Sequence, residues 1–200
     1  MGLKVVTTIN QAEQLAAYES VRRNVLAYDQ RHGYRGPEAV IELPPVGDAR
    51  DDAIDALLQK HPSSDGLMPA VVTEVAGKSL KAELASGEIV QINAEGLGFA
   101  ASALRTNAAN AVRLRPGSLI RVVQTPALKW AVSQLPEVEA AYVSLDAQSG
   151  AYRAIVGGFD FRRKNFNHAT SAWRQPGSSI KPFIYSAALE RGSEHPIGSA

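Results

Sequence analysis

The residues that could do chemistry in this sequence lie near its end, where Ser178 and Lys181 form the pattern S-x-x-K. Pro176 and Gly177 introduce a helix, and residues three positions apart on a helix share a face, so the amine of Lys181 can reach the hydroxyl of Ser178. A serine hydroxyl is a weak nucleophile until a neighbouring group accepts its proton, and a lysine amine can do so when its pKa is depressed. The pattern is therefore compatible with nucleophilic catalysis. The same four residues are also compatible with a solvated N-cap serine and an exposed lysine.

The elements around this pair are predicted to be a β-hairpin and a helix. Residues 141–145 and 152–156 form two short apolar runs, and the Asp, Ser and Gly between them favour a hairpin turn. A polar, aromatic segment follows, from residue 159 to residue 173. The helix that carries the S-x-x-K pair should also have an apolar face, formed by Phe183, Ile184, Ala187 and Ala188.

The middle of the chain, residues 67–134, has the pattern of strands separated by turn residues. Five strands are expected there, which is the number in an OB-type barrel. We expect a closed or nearly closed barrel, because closure removes the exposed strand edges. The stretch from residue 96 to residue 117 is longer and mixed, with room for a short helix. The predicted strands are residues 70–75, 80–84, 89–93, 119–124 and 130–134.

Two helices are predicted before this barrel. Asn10 offers an N-cap with Glu13 three residues on, so the first helix should cover residues 11–28. The second, at residues 51–60, has acidic residues in its first turn, where the helix dipole favours them. The expected packing face of the first helix is Leu15, Tyr18, Val21, Val25 and Tyr28, and that of the second is Ile54, Leu57 and Leu58.

Composition limits the functions that are possible. The 200 residues, 45% of them hydrophobic, are enough to bury a core. The 21 basic and 20 acidic residues give a net charge of +1, which argues against a polyanionic partner. Cysteine is absent, so disulfides, thiolate metal sites and cysteine nucleophiles are excluded. No metal or other cofactor is expected, because metal-ligand spacing is missing around all four histidines: His32, His61, His168 and His195.

Four sequence blocks around the S-x-x-K pair resemble the transpeptidase domain of class A (bifunctional) penicillin-binding proteins, specifically of the 1A type. The S-x-x-K pattern, with S-D-N and K-T-G elsewhere, is the signature of penicillin-binding proteins and class A β-lactamases. Upstream blocks resemble the same family, so the resemblance covers residues 2–192. The four blocks are YVSLD (142–146), GAYRAIVGG (150–158), FNHAT (166–170) and RQPGSSIKPF (174–183), and the upstream ones are residues 2–9, 24–29 and 31–37.

The resemblance implies an α+β chain, mainly β, in which an OB-like docking domain is inserted into a transpeptidase domain. Residues 2–9 would be a strand that follows a glycosyltransferase domain. The implied organisation is a linker and helical segment (1–66), the OB-like inserted domain (67–135), the N-terminal part of the transpeptidase domain with the S-x-x-K helix (136–192), and a truncated or cloning-derived end (193–200).

The resemblance also implies an activity for the parent protein. That protein would be a peptidoglycan synthase, a serine-type D-Ala-D-Ala transpeptidase or carboxypeptidase that also carries a glycosyltransferase. Ser178 would be the acyl-enzyme nucleophile and Lys181 the general base candidate, and the base of this class is disputed. Peptidoglycan stem peptides and β-lactams would be the ligands, on the periplasmic side of the bacterial inner membrane. No apolar run here is long enough to span a bilayer, so the anchor is expected outside this chain.

Two further hypotheses concern the chain itself. No K-T-G or S-x-N motif follows the helix, so we expect the chain alone to be inactive. It could instead be a docking module for an outer-membrane lipoprotein activator, because residues 67–134 contain no catalytic constellation. An OB-fold that binds single-stranded nucleic acid would need a basic groove with aromatics, and this segment offers only Trp130 and Phe99. Neither nucleic acid nor direct membrane contact is therefore expected.

Overall fold

The computed structural model describes residues 2–192, and the expectation for residues 193–200 lies outside this described part. The chain forms two compact units, of which the first ends at Thr170 and the second begins at Ser171. The elements of the first unit are α1 (Gln11–Arg31), β1 (Ala39–Val40), α2 (Asp48–Gln59), β2 (Met68–Ala76), β3 (Ser79–Leu84), β4 (Ile89–Ile92), α3 (Ala94–Leu97), a 3-10 helix (Gly98–Leu104), β5 (Ser118–Gln124), β6 (Trp130–Ser133), β7 (Tyr142–Leu145) and β8 (Tyr152–Val156).

Helix α1 begins where the sequence predicts and continues about one turn further. The side-chain oxygen of Asn10 accepts a hydrogen bond from the N–H of Glu13 at 3.2 Å. This bond satisfies one of the donors that every helix leaves free at its N-terminus.

The predicted packing face of α1 is wrong at both ends, because Leu15 is 56% exposed and Tyr28 is 43% exposed. The face that packs extends from Ala17 to Asp29, and Ala17 shares a core cluster with Ala154 of β8. Two small residues allow the helix and strand to approach closely here, and Leu15 lies outside the packed face. The buried residues of α1 are Ala17, Val21, Val25 and Asp29.

Strands β1 to β6 form one antiparallel sheet in the order β1-β5-β2-β3-β4, with β6 also paired to β5. All five strands predicted from the sequence are present, with small shifts at their ends. β1 pairs with the beginning of β5 and β6 pairs with its end. Because β2 occupies the other edge of β5, these two short strands lie one after the other along the same edge.

Of the two expected forms, closed or nearly closed, the hydrogen bonding does not form the closed one, and the OB-like fold class is confirmed. Among the described residues, no ladder joins β4 to β6. The side-chain oxygen of Asn93 accepts from the N–H of Gly96 at 3.0 Å, which starts α3 directly after β4 and ends the strand. Gly96 lies so close to the Trp130 carbonyl of β6 that a side chain there would overlap it. The fold is OB-like, with a helical turn packed where a closed barrel would have a sixth ladder.

The core of this sheet follows from the alternation of its strands. In β3, Leu80, Ala82 and Leu84 are buried while Lys81 is exposed. Period-two alternation places these three side chains on one face. They pack with side chains from β2, β4, α3, β5 and β6: Ala70, Val72, Val90, Ile92, Leu97, Ile120, Val122 and Val132.

Helix α2 covers the opposite face of the sheet. It begins at Asp48, slightly earlier than predicted, and buries the predicted side, Ile54, Leu57 and Leu58. These side chains pack on Val71 of β2 and on Leu119 of β5. The two faces of the sheet therefore have separate apolar cores.

The hairpin of β7 and β8 was predicted correctly and packs on α1. Phe159, just after β8, is completely buried with α1 residues around it. The side chain of Gln14 caps the free edge of β8, because it accepts from the N–H of Ile155 at 2.8 Å and donates to the carbonyl of the same residue at 2.9 Å. The edge is thereby closed to further pairing at this position.

The strand expected at residues 2–9 is not formed. Its approach to β8 consists of a bond from the Thr8 hydroxyl to the Tyr152 carbonyl at 2.7 Å and one from the Asn10 N–H to the Arg153 carbonyl at 2.9 Å. Gln14 occupies the backbone groups of the next rung, at Ile155. The two bonds from Thr8 and Asn10 are not followed by a ladder in residues 2–9.

The second unit consists of a 3-10 helix (Gly177–Ile180) followed by α4 (Lys181–Gly192). Its large apolar side chains face solvent, and Phe183 is 72% exposed. Neither α4 nor any other helix within residues 2–192 is long and apolar enough to cross a membrane.

Candidate functional site

Ser178 and Lys181 lie on one continuous helical segment. Ser178 is in the 3-10 turn and Lys181 is the first residue of α4. The N–H of Lys181 donates to the carbonyl of Ser178. In a 3-10 helix, side chains three positions apart are eclipsed, so the backbone directs both side chains to the same side.

Gly177 shapes the turn that leads into this segment. Its φ angle is +49°, a value that residues with a side chain rarely adopt. Pro176 before it has a φ of −62°, which its ring fixes. The pair therefore sets the direction of the chain immediately before Ser178.

The surroundings of Ser178 and Lys181 in the second unit are open to water. Both residues are exposed, and no hydrogen bond joins the Ser178 hydroxyl to the Lys181 ammonium within the described residues. A lysine becomes a base when burial or a second cation removes the preference for its charged form. The unit places the two groups in register but does not supply the environment that would activate them.

A buried polar cluster that was not predicted from the sequence joins α1 to both connections of the OB-like sheet. Asp29, in the last turn of α1, is only 3% exposed. Its carboxylate accepts from Arg35 Nη1 at 2.8 Å and from Gln134 Nε2 at 2.7 Å. Arg35 precedes the sheet and Gln134 follows it. We call these three residues the junction cluster.

The junction cluster also ties the two connections to each other. The N–H of Arg35 donates to Gln134 Oε1 at 3.1 Å, and Arg35 Nη2 donates to the Leu135 carbonyl at 2.6 Å. Arg35 Nε lies 3.2 Å from a carboxylate oxygen of Glu137. Hydrogen bonds to ionised groups are about twice as strong as neutral ones, so the cluster fixes where the chain enters and leaves the sheet.

A second buried ion pair attaches β1 to β5. Arg121 is 3% exposed, and its guanidinium donates to the two carboxylate oxygens of Glu38 at 2.6 and 2.9 Å. It also donates to the Pro62 carbonyl at 2.7 Å. A buried charge without partners would be costly, so Arg121 requires Glu38 beside it. The pair accounts for a strand of only two residues at this edge.

A third cluster connects α1 with the loops before β2 and after β8. Arg22 binds Asp65, and its guanidinium lies 5.8 Å from the centre of the Phe159 ring. The Ser64 hydroxyl donates to Asp160 Oδ2 at 2.5 Å. Burial, followed by the nearby Asp65 carboxylate, raises the pKa of Tyr18, which keeps its hydroxyl protonated.

The described histidines contact backbone carbonyls or a carboxylate of the fold. His32 Nδ1 contacts the Tyr28 carbonyl and His168 Nδ1 contacts the Gly157 carbonyl, both at 2.9 Å. His61 lies 3.3 Å from Glu38. Within residues 2–192, no group of three His, Cys, Asp or Glu side chains is arranged to hold a metal ion. His195 lies outside the described residues.

Comparison with known proteins identifies the family. Residues 34–138 match the family described as penicillin-binding protein OB-like domain. Penicillin-binding protein 1A from Neisseria lactamica is 44% identical over 96% of this chain and 24% of its own length, and that from Escherichia coli is 41% identical over 96% of this chain and 23% of its own. The chain thus spans about a quarter of the length of the curated relatives it matches.

A solved structure agrees with the sequence comparison. The crystal structure of penicillin-binding protein 1A from Haemophilus influenzae is similar, with a TM-score of 0.76 and 37% identity over 94% of this chain and 27% of that chain. The similarity extends beyond the OB-like region to most of the chain. This chain therefore belongs to the penicillin-binding proteins of the 1A type and contains their OB-like domain.

Proposed function

We propose that this chain is part of a peptidoglycan synthase in which Ser178 is the nucleophile of a D,D-transpeptidase and Lys181 is its general base candidate. The observation that carries the proposal is the block from Arg174 to Phe183, in which Ser178 and Lys181 lie one turn apart on a helical segment that begins at Gly177. Membership in the penicillin-binding protein family supports it.

The chemistry follows from the two groups. The Ser178 hydroxyl attacks the carbonyl of the D-Ala-D-Ala bond in a stem peptide while Lys181 accepts its proton. The terminal D-Ala leaves and an acyl-enzyme forms, which the amine of a second stem peptide resolves. A β-lactam, which mimics the D-Ala-D-Ala end, acylates Ser178 in the same way but leaves an ester that is slow to be released.

The chain alone should react slowly, because acylation also requires donors that hold the oxyanion and a strand that orients the ligand. Loss of a single oxyanion donor costs about a hundredfold to a thousandfold in rate. The exposed surroundings of Ser178 provide no such enclosure. In the family this strand bears the K-T-G motif, which is absent from these residues.

A fluorescent penicillin tests the proposal. We expect Ser178-dependent labelling of a chain extended through the K-T-G and S-x-N motifs of its parent, and labelling of the 200-residue chain that is slower by at least about a thousandfold. Ser178→Ala is the control in both lengths. An extended, folded chain that fails to label would refute the transpeptidase role, and equal rates would refute the need for the missing part.

In the same proposal, the OB-like domain is an insertion in the transpeptidase domain, with α1 before it and the β7–β8 hairpin after it. The burial of Phe159 among α1 residues supports this, because the two flanks share one core. The parent would carry a glycosyltransferase and would act on the periplasmic side of the inner membrane, with its anchor outside these residues.

The second candidate function is docking of an outer-membrane lipoprotein activator by the OB-like domain. The observation in its favour is that the ionised clusters of this domain, such as Arg121 with Glu38, are used internally and leave no convergent catalytic group. The 200-residue chain, immobilised, should retain an envelope lipoprotein, and Ser178→Ala should retain the same amount. Retention that requires Ser178 would contradict a docking role separate from catalysis.

A further inference from the structure

The arginines of the OB-like region divide into two groups by their partners. Arg35 and Arg121 form buried or half-buried ion pairs, and Arg50 donates to the Thr73 carbonyl at 3.2 Å. The remaining three form no ion pair and no side-chain hydrogen bond with any residue in 2–192. These three are Arg105, Arg113 and Arg115.

The three unpaired arginines lie on the connection between the 3-10 helix and β5. The N–H of Leu114 donates to the carbonyl of Ala103 at 2.9 Å, which holds the two halves of the connection together. Arg105 and Arg115 are exposed and Arg113 is half-buried. No Asp or Glu occurs in the sequence between Glu95 and Glu137, so this connection carries no acidic residue of its own.

A cleft of about 350 Å³ opens beside Arg105. Lys78, in the turn between β2 and β3, stands at its rim, and Leu97 and Leu104 contribute an apolar floor. We call this cleft, with Arg113 and Arg115 on the adjoining connection, the basic cleft. Its chemistry combines positive charge at the rim with space for an apolar side chain.

We propose that the basic cleft docks an acidic segment of a partner protein. Carboxylates of that segment would bind Arg105, Arg113 and Arg115, and an apolar side chain would enter above Leu104. Arginine is enriched at protein interfaces, where its planar donors bind carboxylates in pairs. This inference rests on the docking function proposed above and assigns a surface and a partner chemistry to it.

The charges elsewhere on the domain favour a single orientation of the partner. Helix α2 exposes the carboxylates of Asp48, Asp51 and Asp52, whereas the basic cleft has none. Such an uneven distribution of charge steers a partner by attraction at one surface and repulsion at the other. An acidic segment is therefore directed away from α2.

A nucleic acid fits this surface less well than an acidic peptide. Single strands bind where bases stack on aromatic rings within a basic groove. The ring of Phe99 instead packs edge-on against Tyr34, with centroids 5.8 Å apart. Trp130 is partly buried against the sheet core. Neither ring is free to serve as a stacking platform beside the arginines.

The test is a titration of the isotope-labelled 200-residue chain with a short peptide of alternating Glu and Leu, followed by NMR. We expect shifts at amides 77–78, 94–105 and 113–115 and weaker binding at higher salt. Arg105→Glu with Arg115→Glu should weaken binding at least about tenfold at low salt. The control, Arg23→Glu with Lys60→Glu, changes the net charge equally at exposed positions away from the cleft and should change affinity less than about twofold.

Each remaining outcome decides the proposal. Equal weakening by both double variants, or shifts confined to other residues, would overturn the basic cleft, as would tighter binding of a single-stranded oligonucleotide. If an envelope lipoprotein binds the cleft variant as well as the unaltered chain, the docking function stands and this surface is overturned. If neither the peptide nor a lipoprotein binds the unaltered chain, both proposals fail. Unchanged circular dichroism of the variants establishes that they are folded.

Discussion

The two compact units differ in the burial and bonding of their charged side chains. In the first unit, Asp29 and Arg121 are buried and each is bound by several partners from distant parts of the sequence. In the second unit, Ser178 and Lys181 are one turn apart but exposed. The first unit therefore contains the partners that its buried charges need, whereas the second unit presents Ser178 and Lys181 without an enclosure.

This difference shows that residue spacing and catalytic environment are separate requirements. A short helical segment sets the spacing of Ser178 and Lys181, because local backbone bonds are sufficient for that. Activation of a lysine base requires burial or a nearby charge, which comes from other elements. The predictions below test whether the first unit is the stable scaffold and the second a segment that depends on further structure.

Limited proteolysis should show the largest contrast between the units. We expect first cleavage between Ser171 and Arg191, where every side chain except that of Ala172 is exposed, because a protease reaches such a segment without global unfolding. Cleavage within residues 11–159 should be at least about a thousandfold slower, since it requires opening of a folded core. Mass spectrometry of early fragments measures this. Early cuts inside the OB-like sheet would contradict the division into a scaffold and a dependent segment.

Substitution of Phe159 should test whether the hairpin belongs to the scaffold. Phe159 is 0% exposed, so Phe159→Ala should lower the free energy of unfolding by about 3–5 kcal/mol through lost burial and a cavity. Phe161→Ala, at a position 74% exposed, is the matched control and should change stability by less than about 0.5 kcal/mol. Urea denaturation followed by tryptophan fluorescence measures both. If Phe159→Ala changes stability as little as Phe161→Ala does, the hairpin lies outside the cooperative core.

Much of the scaffold was predictable from the sequence because its signals are local. The alternation of Leu80, Ala82 and Leu84 indicates a strand from neighbouring residues alone, and the same holds for the hairpin at residues 141–156. β1 was missed, because two residues give no pattern and its pairing depends on Arg121 and Glu38. The absence of a closing ladder was also unpredictable, since it depends on how Gly96 packs under Trp130.

The candidate site likewise has one part that was predictable from the sequence and one part that was not. The spacing of Ser178 and Lys181 was evident, because a motif of four residues is local. The junction cluster was not, because Gln134 lies far along the chain from Asp29 and only folding brings them together. One signal was available: Asp29 follows Val25 by four positions, which places a carboxylate on the buried face of α1. A charge at a core position indicates a buried partner.

The junction cluster should make the next largest contribution. Asp29→Ala removes the carboxylate that binds Arg35 and Gln134, so the free energy of unfolding should fall by about 3 kcal/mol. Asp52→Ala, at an exposed position of α2, should have an effect below about 0.5 kcal/mol. A double-mutant cycle with Arg35→Ala isolates the coupling between the two residues. Additive effects would show that the pair does not act as one unit.

Glu83 should give the smallest effect and is an exception to the paired carboxylates of the scaffold, because it faces like charges. Burial, then the carboxylates of Asp51 and Asp55, raise the pKa of Glu83 above its ordinary value. The folded protein thus holds this proton more tightly than the unfolded chain, so stability is highest below the ordinary pKa and falls as pH rises through the raised one. Glu83→Gln removes this loss and should increase the free energy of unfolding at neutral pH by up to about 0.5 kcal/mol, with a smaller difference near pH 3.5.

The control for Glu83 is a glutamate of the same sheet that already has a partner. Glu74 lies 2.8 Å from the ammonium of Lys81, so Glu74→Gln removes an exposed ion pair and should lower stability by up to about 0.5 kcal/mol at neutral pH. The two substitutions remove the same charge from neighbouring strands, and we expect opposite signs because one carboxylate faces like charges and the other a cation. Urea unfolding at both pH values measures the signs. A loss of stability in Glu83→Gln at neutral pH would show that Glu83 has an attractive partner and would remove the exception.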